Sequence, residues 1–366
     1  MRRRRFLCCS LATLFLTVWE LPTLAVTQAG AADRVQLRFD TSEAEAVLAI
    51  LAKHKANQPV ADADWQRLFS TEPYVRLKKR EAGMHRDFSD ADFQKFVLSD
   101  DLAGRAPALE KTLAEWKQAD LSQAAARALA YLPSDAVIHA KVFPVIKPKT
   151  NSFVFEVSSD PTIFLYLDPG LNRAQFENTV AHELHHIGYA SIDARVEAKL
   201  KDMPPDAHAA VEWAGAFGEG FAMLAAAGGP DVHPHAVSKP EDRARWDHDM
   251  ANFNQDLKTV EKFLLDVAQG RLKTEEERGK VASTFFGVQG PWYTVGWKMS
   301  VLIEKHYGRA KLIECMTDPR ELLVTYNQAA AEHNRTHPDD QLALWLPELL
   351  QSLKGSRAPA PVPPRE

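Results

Sequence analysis

Apolar residues keep helical spacing over most of this chain. From Ser42 to about Lys55, the positions Ala46, Leu48, Ile50 and Leu51 fit a helix better than a strand, and Ala- and Leu-rich stretches continue intermittently to Tyr131. A mostly helical N-terminal layer is therefore predicted. Three short runs rich in β-branched and aromatic residues follow: Val137 to Val145, Phe153 to Val157 and Ile163 to Leu167. Pro144, Pro148 and Ser158-Ser159-Asp160-Pro161 punctuate them, which predicts a small antiparallel sheet. Asp168-Pro169-Gly170 closes the last run, and Asn172 with Gln175 three residues on makes an approximate capping box for a helix beginning near Arg173. Helical patterns then dominate over His208 to Ala227, Arg243 to Gln269, Trp292 to Tyr307 and Arg320 to His333. Helices before and after a short sheet alternate too little for a doubly wound parallel architecture, so the expected fold class is α+β, mainly helical, with the sheet beside the Arg173 to Ala190 helix.

Both ends depart from this pattern. A basic stretch, Arg2 to Arg5, precedes an apolar run from Phe6 to Trp19 broken only by Ser10, Thr13 and Thr17, and small residues end at Ala29-Gly30-Ala31. That is the three-part layout of a signal peptide, and the run is too short to span a bilayer comfortably. Arg3-Arg4-Arg5-Phe6-Leu7 also resembles a twin-arginine export signal without its usual preceding Ser or Thr. A periplasmic or secreted product with no membrane span in the mature chain is expected. At the other end, Gly355 to Glu366 carries Pro359, Pro361, Pro363 and Pro364 with no apolar period and reads as a disordered tail. Between them, residues 32–132 read as a helical lobe and 133–354 as the catalytic region; no Pro- or Gly-rich linker divides the two.

Composition narrows the function classes. With 366 residues, 45% hydrophobic and 25% charged, the chain is long enough for a full core. Loss of the leader would take four of the 44 basic residues and one of the 49 acidic, moving the balance from -5 to about -8, which gives no support to nucleic-acid binding. Cys8 and Cys9 leave with the leader and only Cys315 stays, so the core rather than a disulfide must supply stability.

The chemistry lies in Val180-Ala181-His182-Glu183-Leu184-His185-His186, an HExxH sequence. One helical turn separates His182 from His186, which puts both imidazoles on one face within reach of one ion, and zinc takes neutral imidazole readily. Glu183 follows directly and is placed to act as general base toward a zinc-activated water. Phe176, Val180, Leu184 and Ile187 trace the opposite, apolar face, and no charge falls between Asn178 and His182 or between Leu184 and Ser191, so the helix reads as buried on both sides. A catalytic zinc site usually takes three protein ligands. The metzincin extension would need Gly at 189 and His at 192, where Tyr189 and Ile192 stand. Glu219 in Gly218-Glu219-Gly220-Phe221-Ala222 is the leading third ligand: its flanking glycines would let its helix approach the first closely, and a carboxylate among apolar neighbours needs a counter-charge. Glu212, one heptad earlier, is its rival and would otherwise orient a histidine ligand. One zinc per chain is implied. The same ligands would serve a hydrolase of peptides, a hydrolase of a non-peptide amide or ester, or an inactive zinc-binding capture protein.

HExxH followed by a downstream Glu-x-x-Ala resembles the gluzincin class of zinc metallopeptidases. More narrowly, the chain is similar to an uncharacterised bacterial family grouped as zinc-dependent peptidases; the likeness draws also on Trp65 to Arg80 (WQRLFSTEPYVRLKKR) and on Tyr293-Thr294-Val295-Gly296-Trp297-Lys298-Met299. The resemblance implies a zincin-like fold, zinc on His182, His186 and Glu219, Glu183 as base, and a peptide or protein substrate. By the same likeness, Ile163 to Leu167 could pair with an extended substrate by strand addition, the equal alternative being an interior strand with a hydrophobic run. Several gluzincins use a Tyr or His from a later helix as oxyanion donor, and by that likeness Tyr293, opening a helix after Gly290-Pro291, is the first candidate, with His248 and His306 as alternatives. His233 and His235 in the polar loop Gly228 to Pro240 read as solvated loop histidines, with a second metal site as the alternative.

Overall fold

Val35, Leu37 and Phe39 alternate with polar residues just ahead of the first helical stretch, and they form β1 (Val35–Phe39), a strand the helical spacing around it conceals. The computed structural model describes residues 31–354 apart from 288. Residues 1–30 of the leader and the 355–366 tail lie outside the described residues. After β1 come α1 (Ser42–Lys55), α2 (Asp62–Phe69), α3 (Glu72–Gly83), α4 (Asp90–Val97), α5 (Asp100–Trp116) and α6 (Leu121–Leu129), the predicted helical layer.

The sheet holds β1, β2 (Ile138–Val145), β3 (Phe153–Phe155) and β4 (Thr162–Tyr166) in the order β1-β2-β4-β3. It is mixed rather than antiparallel. β1 runs parallel to β2 with Val35 opposite Ile138, β2 runs parallel to β4 with Lys141 opposite Thr162, and only β3 and β4 form an antiparallel pair, with Phe153 opposite Phe164. The chain leaves β2, passes to the far edge for β3, and hairpins back to insert β4 in between. Of the two readings of Ile163 to Leu167, the interior strand holds and the free edge does not, since β4 lies between two strands and β3 takes the edge. Its unbroken apolar run has the physical reason usual for interior strands, cover on both faces. Ile163 and Leu165 face the main core, while Phe164 joins Leu77, Phe143 and Val145 in a small cluster beneath α3. Arg76 of α3 clamps the β3–β4 hairpin from outside, donating to Glu156 Oε2 and to the Asp160 carbonyl, both at 2.6 Å.

From the sheet the chain enters α7 (Arg173–Ala190), then α8 (Asp193–Leu200), α9 (Pro205–Ala214), a 3₁₀ turn (Gly215–Phe217) and α10 (Gly218–Ala227). Next come α11 (Pro240–Met250), α12 (Phe253–Ala268), α13 (Glu275–Ala282), α14 (Pro291–Tyr307), α15 (Arg309–Met316), α16 (Pro319–Thr336) and α17 (Pro347–Leu353). The stretch His208 to Ala227 is thus two helices, because the backbone tightens into the 3₁₀ turn between Gly215 and Gly218. One continuous core runs from Ala44 to Leu353 and takes in both the N-terminal layer and the later helices. No helix among the described residues is long and apolar enough to cross a membrane.

Candidate metal centre

The helix that carries HExxH is fixed at its start by side chains. Asn172 Oδ1 accepts from the Gln175 N–H and Gln175 Oε1 accepts from the Asn172 N–H, both at 3.0 Å, so two of the free donors of the first turn are satisfied. Its apolar face is fully committed: Phe176, Val180 and Leu184 are wholly buried, and Phe176 stacks on Trp116 of α5 at 4.3 Å between ring centroids. Each large apolar side chain so buried contributes about 2 kcal/mol, enough to hold α7 in place while its other face stays partly wet. Gly188 lets the helix settle onto the segment after α6 and onto β2, for a Cβ there would lie 2.3 Å from Leu132 Cδ1 and 3.1 Å from Ile138 Cγ1. His185 turns into the core and stacks on Phe221 at 5.2 Å; burial first, then the charges of His186 and His182, hold its basicity well below that of an exposed histidine. It is a packing residue.

His182 and His186 point the other way, toward the first turn of α10. His182 Nε2 lies 3.1 Å from His186 Nε2, and each lies 3.2 Å from the same Glu219 Oε2. Two imidazole nitrogens and a carboxylate oxygen that converge like this are close to one face of a tetrahedron about an ion roughly 2.0–2.2 Å from each donor, whose edge is roughly 3.3 Å. Burial alone would raise the Glu219 carboxyl, but the His186 charge and hydrogen bonds from both histidines overcome it and hold the group far below the usual carboxylate range. The three side chains keep 15%, 27% and 21% of their surface open, so the cluster is a cleft wall rather than core.

α14 supplies the next wall. The Tyr293 ring lies 6.5 Å from that of His182 and nearly parallel to it. Burial, then the Glu219 carboxylate, then Glu183, push the phenol well above its ordinary range, so Tyr293 keeps its proton and remains a donor. Glu183, partly buried next to His182 in the chain, lies near enough for its charge to act on Tyr293. The glycines flanking Glu219 do different work from the one expected. Gly218 has nothing near its missing Cβ, and Gly220 admits α14 instead of α7, since a Cβ there would sit 2.1 Å from Trp297 N and 2.4 Å from the Tyr293 carbonyl oxygen.

The remaining candidates fall elsewhere. Glu212 sits on α9 with His208, whose Nδ1 lies 3.7 Å away, while Glu197 of α8 approaches His208 Nε2 at 3.6 Å. His248 is an exposed residue of α11, and His306 lies thirteen residues beyond Tyr293 on α14, about 20 Å along the axis. In the loop after α10, His233 Nε2 pairs with Asp247 at 2.9 Å, and His235 bridges Ser238 Oγ at 3.0 Å and Gln289 Nε2 at 2.9 Å. These latch the loop to α11 and to the approach of α14.

Residues 65–335 match a family model described as "Putative zinc dependent peptidase (DUF5700)". The chain belongs to this family. The match takes in every member of the cluster as well as α3 and α14, so the two softer segments noted in the sequence lie inside it. No curated protein and no solved structure matches the chain. Zinc dependence is written into the family's description, and in this member the donor set fits it: two imidazoles and one carboxylate, among neighbours that leave room on the open side. Sequence reasoning did not find the pairing of Glu197 with His208 in this zinc-dependent peptidase family member; the i, i+4 spacing of His208 and Glu212 was the available signal.

Proposed function

We propose that the protein is an exported zinc metallopeptidase in which His182, His186 and Glu219 hold one ion, Glu183 is the general base and Tyr293 the oxyanion donor. The observation that carries this reading is the convergence of two Nε2 atoms and Glu219 Oε2 within 3.1–3.2 Å of one another, with Tyr293 beside them. When bound, the ion supplies Lewis acidity, which makes water acidic near neutral pH and polarises a carbonyl. Glu183 takes the proton of the attacking water on its carboxylate and hands it to the departing amine. The Tyr293 hydroxyl, kept protonated by burial and by the two carboxylates, donates to the oxygen on which negative charge develops. The basic, apolar and small-residue succession over residues 1–31 supports export, and N-terminal sequencing of protein recovered from the periplasm or medium should then begin at Ala32.

Metal analysis tests the reading directly. About one zinc per chain is expected, together with hydrolysis of a mixed peptide library that stops on chelation and returns with zinc. A purified protein that binds no zinc and cleaves no peptide overturns it, and cleavage of esters but not peptides moves it to another substrate.

A further inference from the structure

The three proposed metal ligands and the proposed oxyanion donor reach the site by different routes. His182 and His186 come from α7 and Glu219 from α10, so the cluster is complete without α14; Tyr293 alone comes from α14. What sets Tyr293 against the cluster is therefore the α10–α14 contact.

That contact is backbone against backbone. A Cβ on Gly220 would stand 2.1 Å from Trp297 N, 2.4 Å from Tyr293 O and 2.5 Å from Gly296 C, and a Cβ on Gly296 would stand 2.5 Å from Phe217 O and 3.1 Å from Phe217 Cα. Real Cβ atoms do not approach main chain so closely, and no side-chain rotation relieves either clash. The two glycines are complementary: Gly220, next to Glu219, lets α14 into α10, and Gly296, one turn past Tyr293, lets α14 close on the 3₁₀ turn that leads into α10. Phe217 and Trp292 close the crossing on one side, edge to face at 5.1 Å, so the helices cannot slide apart without unpacking that pair.

We infer that Gly220 and Gly296 are positioning residues, which hold α14 against α10 so that the Tyr293 phenol meets the Glu219 side of the metal cluster. This rests on the metallopeptidase reading above. Neither glycine touches the ligands' donor atoms. An added methyl at either one pushes α14 outward by about 1 Å, a displacement of the size that costs roughly 10²-fold when it falls on a group oriented for reaction.

The test uses the full mature chain with Gly220→Ala, Gly296→Ala and, as control, Gly218→Ala, whose Cβ meets nothing within 4 Å. Zinc titrated alone into metal-stripped protein should bind all three as tightly as wild type. In the zinc-loaded forms, kcat should fall roughly 10–100-fold for Gly220→Ala and Gly296→Ala with KM little changed, and Gly218→Ala should match wild type. The double variant Gly220→Ala/Tyr293→Phe should be no slower than Tyr293→Phe, itself expected to lose roughly 10²–10³-fold as an oxyanion donor. Zinc affinity that falls together with kcat, or losses that multiply in the double variant, overturns the positioning role and leaves the function standing. A Tyr293→Phe protein as fast as wild type overturns it as well. Gly296→Ala carries the same test if Gly220→Ala fails to fold, because its contact lies on the 3₁₀ turn and not beside a ligand.

Discussion

Two clusters in this chain share one chemical inventory and differ in what surrounds it. His182, His186 and Glu219 meet at a single point, with both Nε2 atoms 3.2 Å from one carboxylate oxygen, on side chains no more than 27% exposed. Glu197, His208 and Glu212 lie close enough together to be taken for ligands, yet the carboxylates approach opposite ring nitrogens at 3.6 and 3.7 Å, and both are more than half exposed. The imidazole there is a bridge between two acids, not one corner of a cage. Residue type and proximity are alike in the two, and what separates them is convergence on one point enforced by packed helices.

The comparison can be broken or sharpened in four ways. Glu183→Gln should act most strongly, lowering peptide hydrolysis roughly 10²–10⁴-fold while zinc stays bound; wild-type turnover in that variant would remove Glu183 from the chemistry. Next, Glu219→Ala should weaken zinc binding by more than the roughly 10–100-fold that loss of an orienting partner costs, whereas Glu212→Ala and His208→Ala should leave it unchanged. Calorimetric titration of metal-stripped protein reads all three, and comparable losses would put the second cluster on the same footing as the first. Third, stripping the metal should lower Tm by several degrees, since an ion at about 1,000 times its Kd stabilises by about 4 kcal/mol; a melting curve indifferent to zinc would mean that neither cluster holds an ion in the folded state.

The smallest effect lies beside the second cluster, at a neighbour of Glu197. Burial, and then the neighbouring Glu197, push Asp193 up to about 7. A folded pKa above the unfolded one means that the folded chain holds the extra proton, so the stability this group allows is fully present below the ordinary Asp range and is lost as pH rises through about 7. Asp193→Asn should therefore raise Tm by a wider margin at about pH 8 than at about pH 5. An equal shift at both would show that no charge needs to be relieved there.

Much of the first cluster was legible because it is local. HExxH brings two candidate ligands together through the helix repeat alone, and Asn172 with Gln175 marks the start of α7 at the residue observed. Glu219 and Glu212 could not be separated in the same way: seven residues apart on one continuous helix they would share a face, but the 3₁₀ turn between Gly215 and Gly218 interrupts the count and sends them to different surroundings. The sheet failed for a related reason. Strand direction depends on which distant partner each run finds, and nothing in Val137 to Leu167 tells that β1, a hundred residues earlier, lies alongside β2. The uniform apolarity of Ile163 to Leu167 did carry the interior-strand reading, since an edge strand wet on one face would alternate.

The order of the ligands along the chain has a consequence of its own. An ion held by the proposed ligands His186 and Glu219, 33 positions apart, would close a loop that contains all of α8 and α9. In polymer terms it is a reversible crosslink, and tying the ends of such a loop in a disordered chain costs roughly 3 kcal/mol of entropy. The native fold has already brought those ends together across α7 and α10. An ion there would meet a chain whose topology has done the work of closure, and its departure would leave the α8–α9 excursion held by the shared core alone.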